Sequence, residues 1–67
     1  MTERAYEWDN VLGWNDDGVT QSRGLWIVIA ETLEEAREKI CRSPRFVDDP
    51  ARIRKEMPRV RELERDK

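Results

Sequence analysis

Oxygen-bearing side chains cluster around the first turn of the chain, and their chemistry would suit a calcium or magnesium ion. They are Asp9, Asn15, Asp16 and Asp17. Their spacing differs from that of a calcium-binding loop, because aligning Gly18 with the loop's invariant glycine places Gly13 and Gly24 at the first and last ligand positions. Asn-Asp-Asp-Gly is more typical of a tight turn, since Asp-Gly readily adopts a positive φ. We expect no metal and no cofactor at this turn.

Catalytic side chains are scarce. The chain contains no histidine and a single cysteine, Cys41, with Arg42 beside it. The arginine favours a thiolate, but the end of a predicted helix disfavours one, and there is no histidine to serve as its base. The acidic pair Asp48-Asp49 is better explained by helix capping. The sequence therefore predicts that the protein is not an enzyme.

Charge divides the chain into an acidic first part and a basic second part. Residues 1–35 carry eight acidic side chains against two basic ones, and residues 36–67 carry eleven basic against seven acidic. We expect one domain of marginal stability, because a chain of about this size buries only about 60% of its surface on folding. No apolar run approaches the roughly 20 residues of a membrane span, and one cysteine fits a reducing compartment. We expect a soluble, cytoplasmic protein.

The strongest structural signal is the segment from Leu25 to Ile40. Its first six residues are all apolar, which predicts a strand buried on both faces. Thr32 and Glu35 then form a capping box, in which the glutamate reaches back to the N–H of the cap residue, for a helix over residues 32–42 with one apolar side. The segment is therefore predicted to be a strand followed by a helix that folds back over it.

The first part of the chain predicts a β-hairpin over residues 1–30. Its first strand is expected to contain an irregularity at Asp9-Asn10 or at Gly13, since a glycine inside a strand often marks a bulge. The Asp-Gly turn follows, and the return arm is expected to begin at Val19 and to cross a polar link at residues 21–24.

The part after the main helix predicts shorter elements. Phe46-Val47 is expected to form a third short strand or to plug the core. Residues 50–64 are expected to form short helical segments, the first capped by Asp49, with a break at Pro58 before a terminal segment. The fold class is therefore α+β: a small antiparallel sheet packed against one main helix, with short C-terminal helices.

Three tryptophans are unusual in a chain of 67 residues, and all lie in the predicted hairpin. One interpretation packs all three across the sheet as its core. In the other, Trp14 is partly exposed beside the acidic turn and anchors a protein partner. The partner-binding residues are then predicted to be Glu7, Asp9, Trp14, Asp16 and Asp17. These predict a non-catalytic binding module that occupies a basic surface of a larger partner, such as a protein or complex that handles nucleic acid.

The alternative hypothesis is direct nucleic-acid binding by the basic C-terminal part of the chain. Its candidate residues are Arg52, Arg54, Lys55, Arg59 and Arg61. Interspersed carboxylates weaken this hypothesis, because mixed charge is also typical of an ordinary solvated surface. A sheet of two or three strands also leaves an exposed edge, so a homodimer through a sheet edge is a further expectation.

Two resemblances bear on these expectations. The segment WIVIAETLEEAREKI, within Leu25 to Ile40, resembles the strand-to-helix half of small ferredoxin-like α+β modules, which implies fold geometry and no activity. In size and composition the chain resembles phage-encoded inhibitors, including anti-CRISPR proteins. That resemblance implies an inhibitor that occupies a surface of its partner, with no correspondence residue by residue.

Overall fold

A three-stranded antiparallel sheet with helices on one face forms the architecture of the computed structural model, which describes residues 2–63. The elements in chain order are strand β1 (Arg4–Trp14), strand β2 (Gln21–Ala30), helix α1 (Leu33–Arg42), helix α2 (Pro50–Lys55) and strand β3 (Arg59–Glu62). The strand order is β2-β1-β3, so β1 is the central strand. The predicted α+β class, with a small sheet packed against one main helix, is confirmed.

A β-bulge sets the register of the hairpin formed by β1 and β2. Between the pairs Trp8–Trp26 and Val11–Gly24, β1 contains one more residue than β2. Asn10 adopts a φ of 60° at this point, a conformation that asparagine tolerates better than most residues. The predicted irregularity therefore lies at Asp9-Asn10 and not at Gly13.

Gly13 is needed for a different reason, the close approach of an aromatic ring. A Cβ atom at this position would overlap the Trp26 indole and lie 3.0 Å from the Arg45 carbonyl oxygen. The backbone of β1 thus lies directly against the Trp26 side chain. Trp26 in turn makes an edge-to-face contact with Phe46, with ring centroids 5.9 Å apart.

The hairpin turn extends over residues 15–20. The Gly18 N–H donates to the Asn15 carbonyl oxygen at 3.0 Å, and Gly18 has the positive φ, 69°, that the sequence predicts. β2 begins only at Gln21, two residues after the expected start of the return arm at Val19, and the expected polar link at residues 21–24 is regular strand. Val19 is 76% exposed.

The core lies between one face of the sheet and the two helices. Its buried members are Tyr6, Trp8, Val11, Ala30, Ala36, Ile40 and Ile53. Trp26, Val28 and Leu33 pack against this cluster while partly buried. The apolar side of α1 therefore covers the sheet as predicted, and α2 contributes Ile53.

Both helices begin at the predicted caps. The Thr32 hydroxyl accepts from the Glu35 N–H at 3.1 Å, and the Asp49 carboxylate accepts from the Ala51 N–H at 3.0 Å. The Glu35 carboxylate reaches back to the N–H of Glu31 at 3.0 Å, one residue before the expected N–H of Thr32. The strand is therefore tied to the start of α1.

The prediction that residues 25–30 are buried on both faces is wrong. Trp26, Val28 and Ala30 face the core, whereas Leu25, Ile27 and Ile29 are 50%, 50% and 38% exposed. The physical reason is that both helices lie on the same side of the sheet, so that within residues 2–63 one face of β2 stays uncovered.

The prediction of a terminal helical segment after Pro58 is also wrong. Residues 59–62 form β3, which pairs with the start of β1 from Arg4–Glu62 to Glu7–Arg59. A four-residue segment gains more from ladder hydrogen bonds to β1 than from one isolated helical turn. The third strand thus comes from here, while Phe46 makes an isolated bridge to Gly13 and packs against the core, which is the second of the two alternatives predicted for it. Residue 64, the predicted end of this segment, lies outside the described residues.

Candidate protein-binding surface

The two aspartates of the turn are already engaged within the chain. The Asp17 carboxylate accepts from the Val19 N–H at 2.9 Å and from the N–H and hydroxyl of Thr20 at 2.9 and 2.8 Å. These hydrogen bonds, led by that of the Thr20 N–H, lower the pKa of Asp17. Asp16 forms an ion pair with Arg45 at 2.6 Å. Asp17 therefore fixes the turn, and the charge of Asp16 is matched by a basic neighbour.

Glu7 and Asp9 also have basic neighbours. The Glu7 side chain is only 7% exposed, and its carboxylate oxygens lie 3.0 Å from Arg61 Nε and 3.7 Å from Arg59 Nη1. Asp9 lies 3.5 Å from the other terminal nitrogen of Arg59. Both carboxylates thus join the central strand to β3.

Trp14 is partly exposed, as one of the two interpretations of the tryptophans expected. Its side chain is 37% exposed, and its backbone N–H donates to the Arg45 carbonyl oxygen at 2.8 Å. Trp8 and Trp26, by contrast, belong to the core or pack against it. The structure therefore places the three tryptophans in two different environments.

The five basic candidates do not form one surface. Arg52 fills a gap beside the bulge: its guanidinium donates to the Asn10 carbonyl oxygen at 2.7 Å, to Asp48 at 2.6 Å and to Glu56 at 2.9 Å. The carboxylates of Glu56 and Asp48, with Glu56 first, raise the pKa of Arg52. Arg59 and Arg61 lie on β3 beside Glu7. In the described part of the chain, only Arg54 and Lys55 of this set form no ion pair.

Three aliphatic side chains on one face of β2 form a surface that was not among the binding residues predicted from the sequence. They are Leu25, Ile27 and Ile29, here called the aliphatic stripe. Their alternation follows from the period of two of a strand, which sends every second side chain to the same face. The signal in the sequence was the unbroken apolar run itself, because such runs are typical of strands that are covered on both faces.

The register places the rest of this face beside the stripe. Ile29 faces Ala5 and Ile27 faces Glu7 on β1, and these two residues face Arg61 and Arg59 on β3. The face thus runs from aliphatic side chains on β2, across the small Ala5 and the buried Glu7, to two arginines. We call this set the open face: Ala5, Glu7, Leu25, Ile27, Ile29, Arg59 and Arg61. It combines an apolar side with a polar side, as protein interfaces do.

A groove of about 530 Å³ lies beside α1. It is lined by Glu34, Arg37, Glu38, Cys41, Arg42 and Arg54. Cys41 is half-buried and packs against the core. Charged side chains of both signs line the rest of this groove, in contrast to the apolar lining of most small-molecule sites.

Comparison with known protein families found no family model that matches the chain, and comparisons with curated proteins and with solved structures found no match either. Among residues 2–63, no helix is long and apolar enough to cross a membrane. The same residues contain no group of three or more histidine, cysteine or acidic side chains arranged to hold a metal ion.

Proposed function

We propose that this protein is a non-catalytic protein-binding module that docks on a larger partner through the open face of its sheet. The observation that carries the proposal is the aliphatic stripe, since three large side chains at 38–50% exposure lie side by side on one strand. Adjacent apolar side chains of this kind mark interaction surfaces, whereas single exposed apolar residues are common on any protein.

The side chains around the stripe supply the rim of such an interface. Arg59 and Arg61 are 68% and 66% exposed while they contact the buried Glu7, so their guanidinium groups remain accessible to a partner. Arginine is enriched at interfaces because it combines a long apolar stem with several donors. Trp14 lies on the same strand as Glu7 and extends the candidate surface toward the turn.

The acidic turn supports a finer version of this proposal, in which the partner presents a basic surface. Asp16 is 88% exposed although it pairs with Arg45, and the lowered pKa of Asp17 keeps the Asp17 carboxylate charged at neutral pH. The resemblance to phage-encoded inhibitors makes a complex that handles nucleic acid the first class of partner to test. Because Asp17 also holds the turn, Asp16→Lys is the cleaner test of electrostatic steering, and slower association at low salt is expected.

The experiment that tests the proposal compares capture of proteins from host extract by the wild-type chain and by two lysine variants. Leu25→Lys places a charge in the aliphatic stripe, and Val19→Lys places the same charge at an exposed apolar residue in the turn. We expect a partner that is retained by wild type and Val19→Lys and lost with Leu25→Lys. Retention of the same proteins by all three chains would exclude the stripe as the docking surface.

Direct nucleic-acid binding remains the alternative, with Arg54 and Lys55, which are exposed and form no ion pair within residues 2–63, as its candidates. It requires binding that weakens steeply with salt, because each phosphate contact releases counterions. A mobility-shift titration at two salt concentrations, with Arg54→Glu plus Lys55→Glu as the control, separates the two functions.

A further inference from the structure

The outer edge of β2 is a long strand edge that pairs with nothing in residues 2–63. β2 has ten residues, lies at the end of the strand order β2-β1-β3 and contains Arg23 as its single charged residue. The bulge of the hairpin lies in β1, so β2 itself is regular. Long regular edges of low charge are templates for pairing with another strand, and proteins usually interrupt them.

The hydrogen bonds of β1 show which residues of β2 direct their backbone outward. Leu12 and Trp14 use their backbone groups on the side away from β2: the Leu12 N–H donates to Asp48 at 3.0 Å and the Trp14 N–H to the Arg45 carbonyl oxygen at 2.8 Å. In an antiparallel pair of strands, two facing residues either both direct their N–H and C=O groups toward each other or both direct them away from each other. Arg23 and Gln21, which face Leu12 and Trp14, therefore direct theirs to the free edge.

The same alternation extends along the strand to the aliphatic stripe, since β2 has no bulge. Leu25, Ile27 and Ile29 thus present both their N–H and C=O groups at the edge. An independent contact agrees with this, because the Lys39 ammonium donates to the Ile29 carbonyl oxygen at 2.8 Å from outside the sheet. A carbonyl oxygen has two lone pairs, so this contact leaves room for a second donor.

We propose that the edge of β2 pairs with β2 of a second copy of the chain, antiparallel about a two-fold axis that passes beside Ile27. Each Ile27 then faces Ile27 of the other copy, and Leu25 faces Ile29. Arg23 faces Glu31, which directly follows β2, so a basic residue meets an acidic one at both ends of the interface. The two sheets join into one sheet of six strands.

Among the possible registers of the two β2 strands, the one centred on Ile27 is favoured. Only residues that direct their backbone outward can form the new ladder, so alternative two-fold registers differ by steps of two residues. A shift of two residues in one direction pairs Arg23 with Ile29. A shift of two residues in the other direction pairs Leu25 with Glu31. The register centred on Ile27 is the one that places aliphatic beside aliphatic and opposite charges together, the pairs that stabilise a sheet.

A second copy fits because β2 has the properties that the edge requires of its partner. The occupant must be an extended segment with aliphatic side chains at alternate positions, and a carboxylate opposite Arg23 would add to the one that Asp48 supplies within the chain. A two-fold interface demands such self-complementarity, since the same residues supply both sides. Backbone groups at the edge of β2 make this contact, and it brings the aliphatic stripes of the two copies together on the open face.

Cysteine cross-linking tests the register directly in a Cys41→Ser background. Facing hydrogen-bonded residues have Cα atoms about 5.5 Å apart, within the range that a disulfide spans. Ile27→Cys is therefore expected to form a disulfide-linked dimer on mild oxidation. Leu25→Cys is the control, because the two copies of residue 25 lie four residues apart along the strands, roughly 13 Å. Equal cross-linking of both variants, or none with Ile27→Cys, would overturn the proposal.

Sedimentation equilibrium of the unmodified chain and of charge variants gives a second readout. A concentration-dependent monomer–dimer equilibrium is expected, and Glu31→Arg should raise the dissociation constant about tenfold by placing like charges opposite each other at both ends. Adding Arg23→Glu to that variant should restore dimerisation. A wild-type chain that stays monomeric at millimolar concentration, or no difference between the folded variants, would refute the two-fold edge contact.

Discussion

Asp48 is the residue on which most of the polar structure around the bulge depends. Its side chain is 10% exposed, accepts from the Leu12 N–H at 3.0 Å and lies 2.6 Å from Arg52 and 3.5 Å from Arg23. The Leu12 hydrogen bond is the first cause of a lowered pKa for Asp48, with the Asp49 N–H and Arg52 acting in the same direction. One carboxylate thus connects the edge of β1 to α2.

The lowered pKa of Asp48 has a defined consequence for stability against pH. A carboxylate whose pKa is lower in the folded state stabilises the protein above its unfolded pKa, about 3.9, and this contribution is lost as the pH falls through the folded pKa. Asp48→Asn should therefore be less stable than wild type at pH 7 by about 1–3 kcal/mol, with a difference that shrinks below about pH 4.

Urea denaturation at a series of pH values measures this difference. Asp49→Asn is the matched control, because asparagine caps a helix as well as aspartate does. A difference between Asp48→Asn and wild type that stays constant down to pH 2 would show that the charge of Asp48 is not linked to folding.

Gly13 gives a second prediction for a single residue. Gly13→Ala should destabilise the fold by about 1–3 kcal/mol, because the added methyl group overlaps the Trp26 indole and the Arg45 carbonyl cannot easily retreat. Gly24→Ala is the control: a Cβ there has no neighbour within 4 Å, and a change within about 1 kcal/mol is expected. Equal unfolding midpoints for the two variants would be incompatible with the tight contact at Gly13.

At the scale of elements, β3 depends on Glu7. Two arginines of β3 contact this one buried carboxylate, so Glu7→Ala leaves both guanidinium groups without their shared acceptor. We expect the amide protons of residues 59–62 to exchange faster by about tenfold or more, corresponding to about 1–3 kcal/mol.

Glu62→Ala is the control for β3, since the Glu62 side chain is 74% exposed and lies 3.7 Å from Arg4. Exposed ion pairs of this kind contribute at most about 1 kcal/mol. If exchange in β3 responds equally to the two substitutions, Glu7 does not have the role assigned to it.

The caps and the turn were predictable from the sequence because their causes are local. Thr32, Asp49 and Gly18 each act on backbone groups within a few residues, and the structure places them as predicted. The segment after Pro58 was assigned to the wrong element for the opposite reason. Its strand exists because Val60 and its neighbours meet β1, a contact that spans most of the chain and leaves no local signal.

The error over residues 25–30 is the most informative one. An apolar run predicts burial on both faces, and the composition of β2 does suit a strand in the interior of a larger sheet. The other face of the sheet is covered only if the chain supplies further helices or strands to pack on it. Within residues 2–63, both helices lie on one side of the sheet. The aliphatic stripe was not predicted for the same reason, since its exposure depends on the face that stays uncovered within residues 2–63 and the apolar run alone indicates burial.

At the scale of the whole molecule, ion pairs within the fold bring together charges that the sequence separates. The sequence divides into an acidic and a basic part, but Asp16 pairs with Arg45, and Glu7 and Asp9 pair with β3. The fold thereby brings charges from the two parts together. The aliphatic stripe is then the distinctive feature of the surface, and it lies on the face of the sheet that no helix of residues 2–63 covers.

Photo-cross-linking from the stripe tests most directly whether this face binds a partner. A photoreactive amino acid replaces Leu25 in one chain and Val19 in another, and both are irradiated in host extract. We expect position 25, and not position 19, to yield a product whose mass shows attachment to a larger protein, while a product of twice the chain mass would report the second copy. Equal products from the two positions, or none from position 25, would contradict a binding role for the open face.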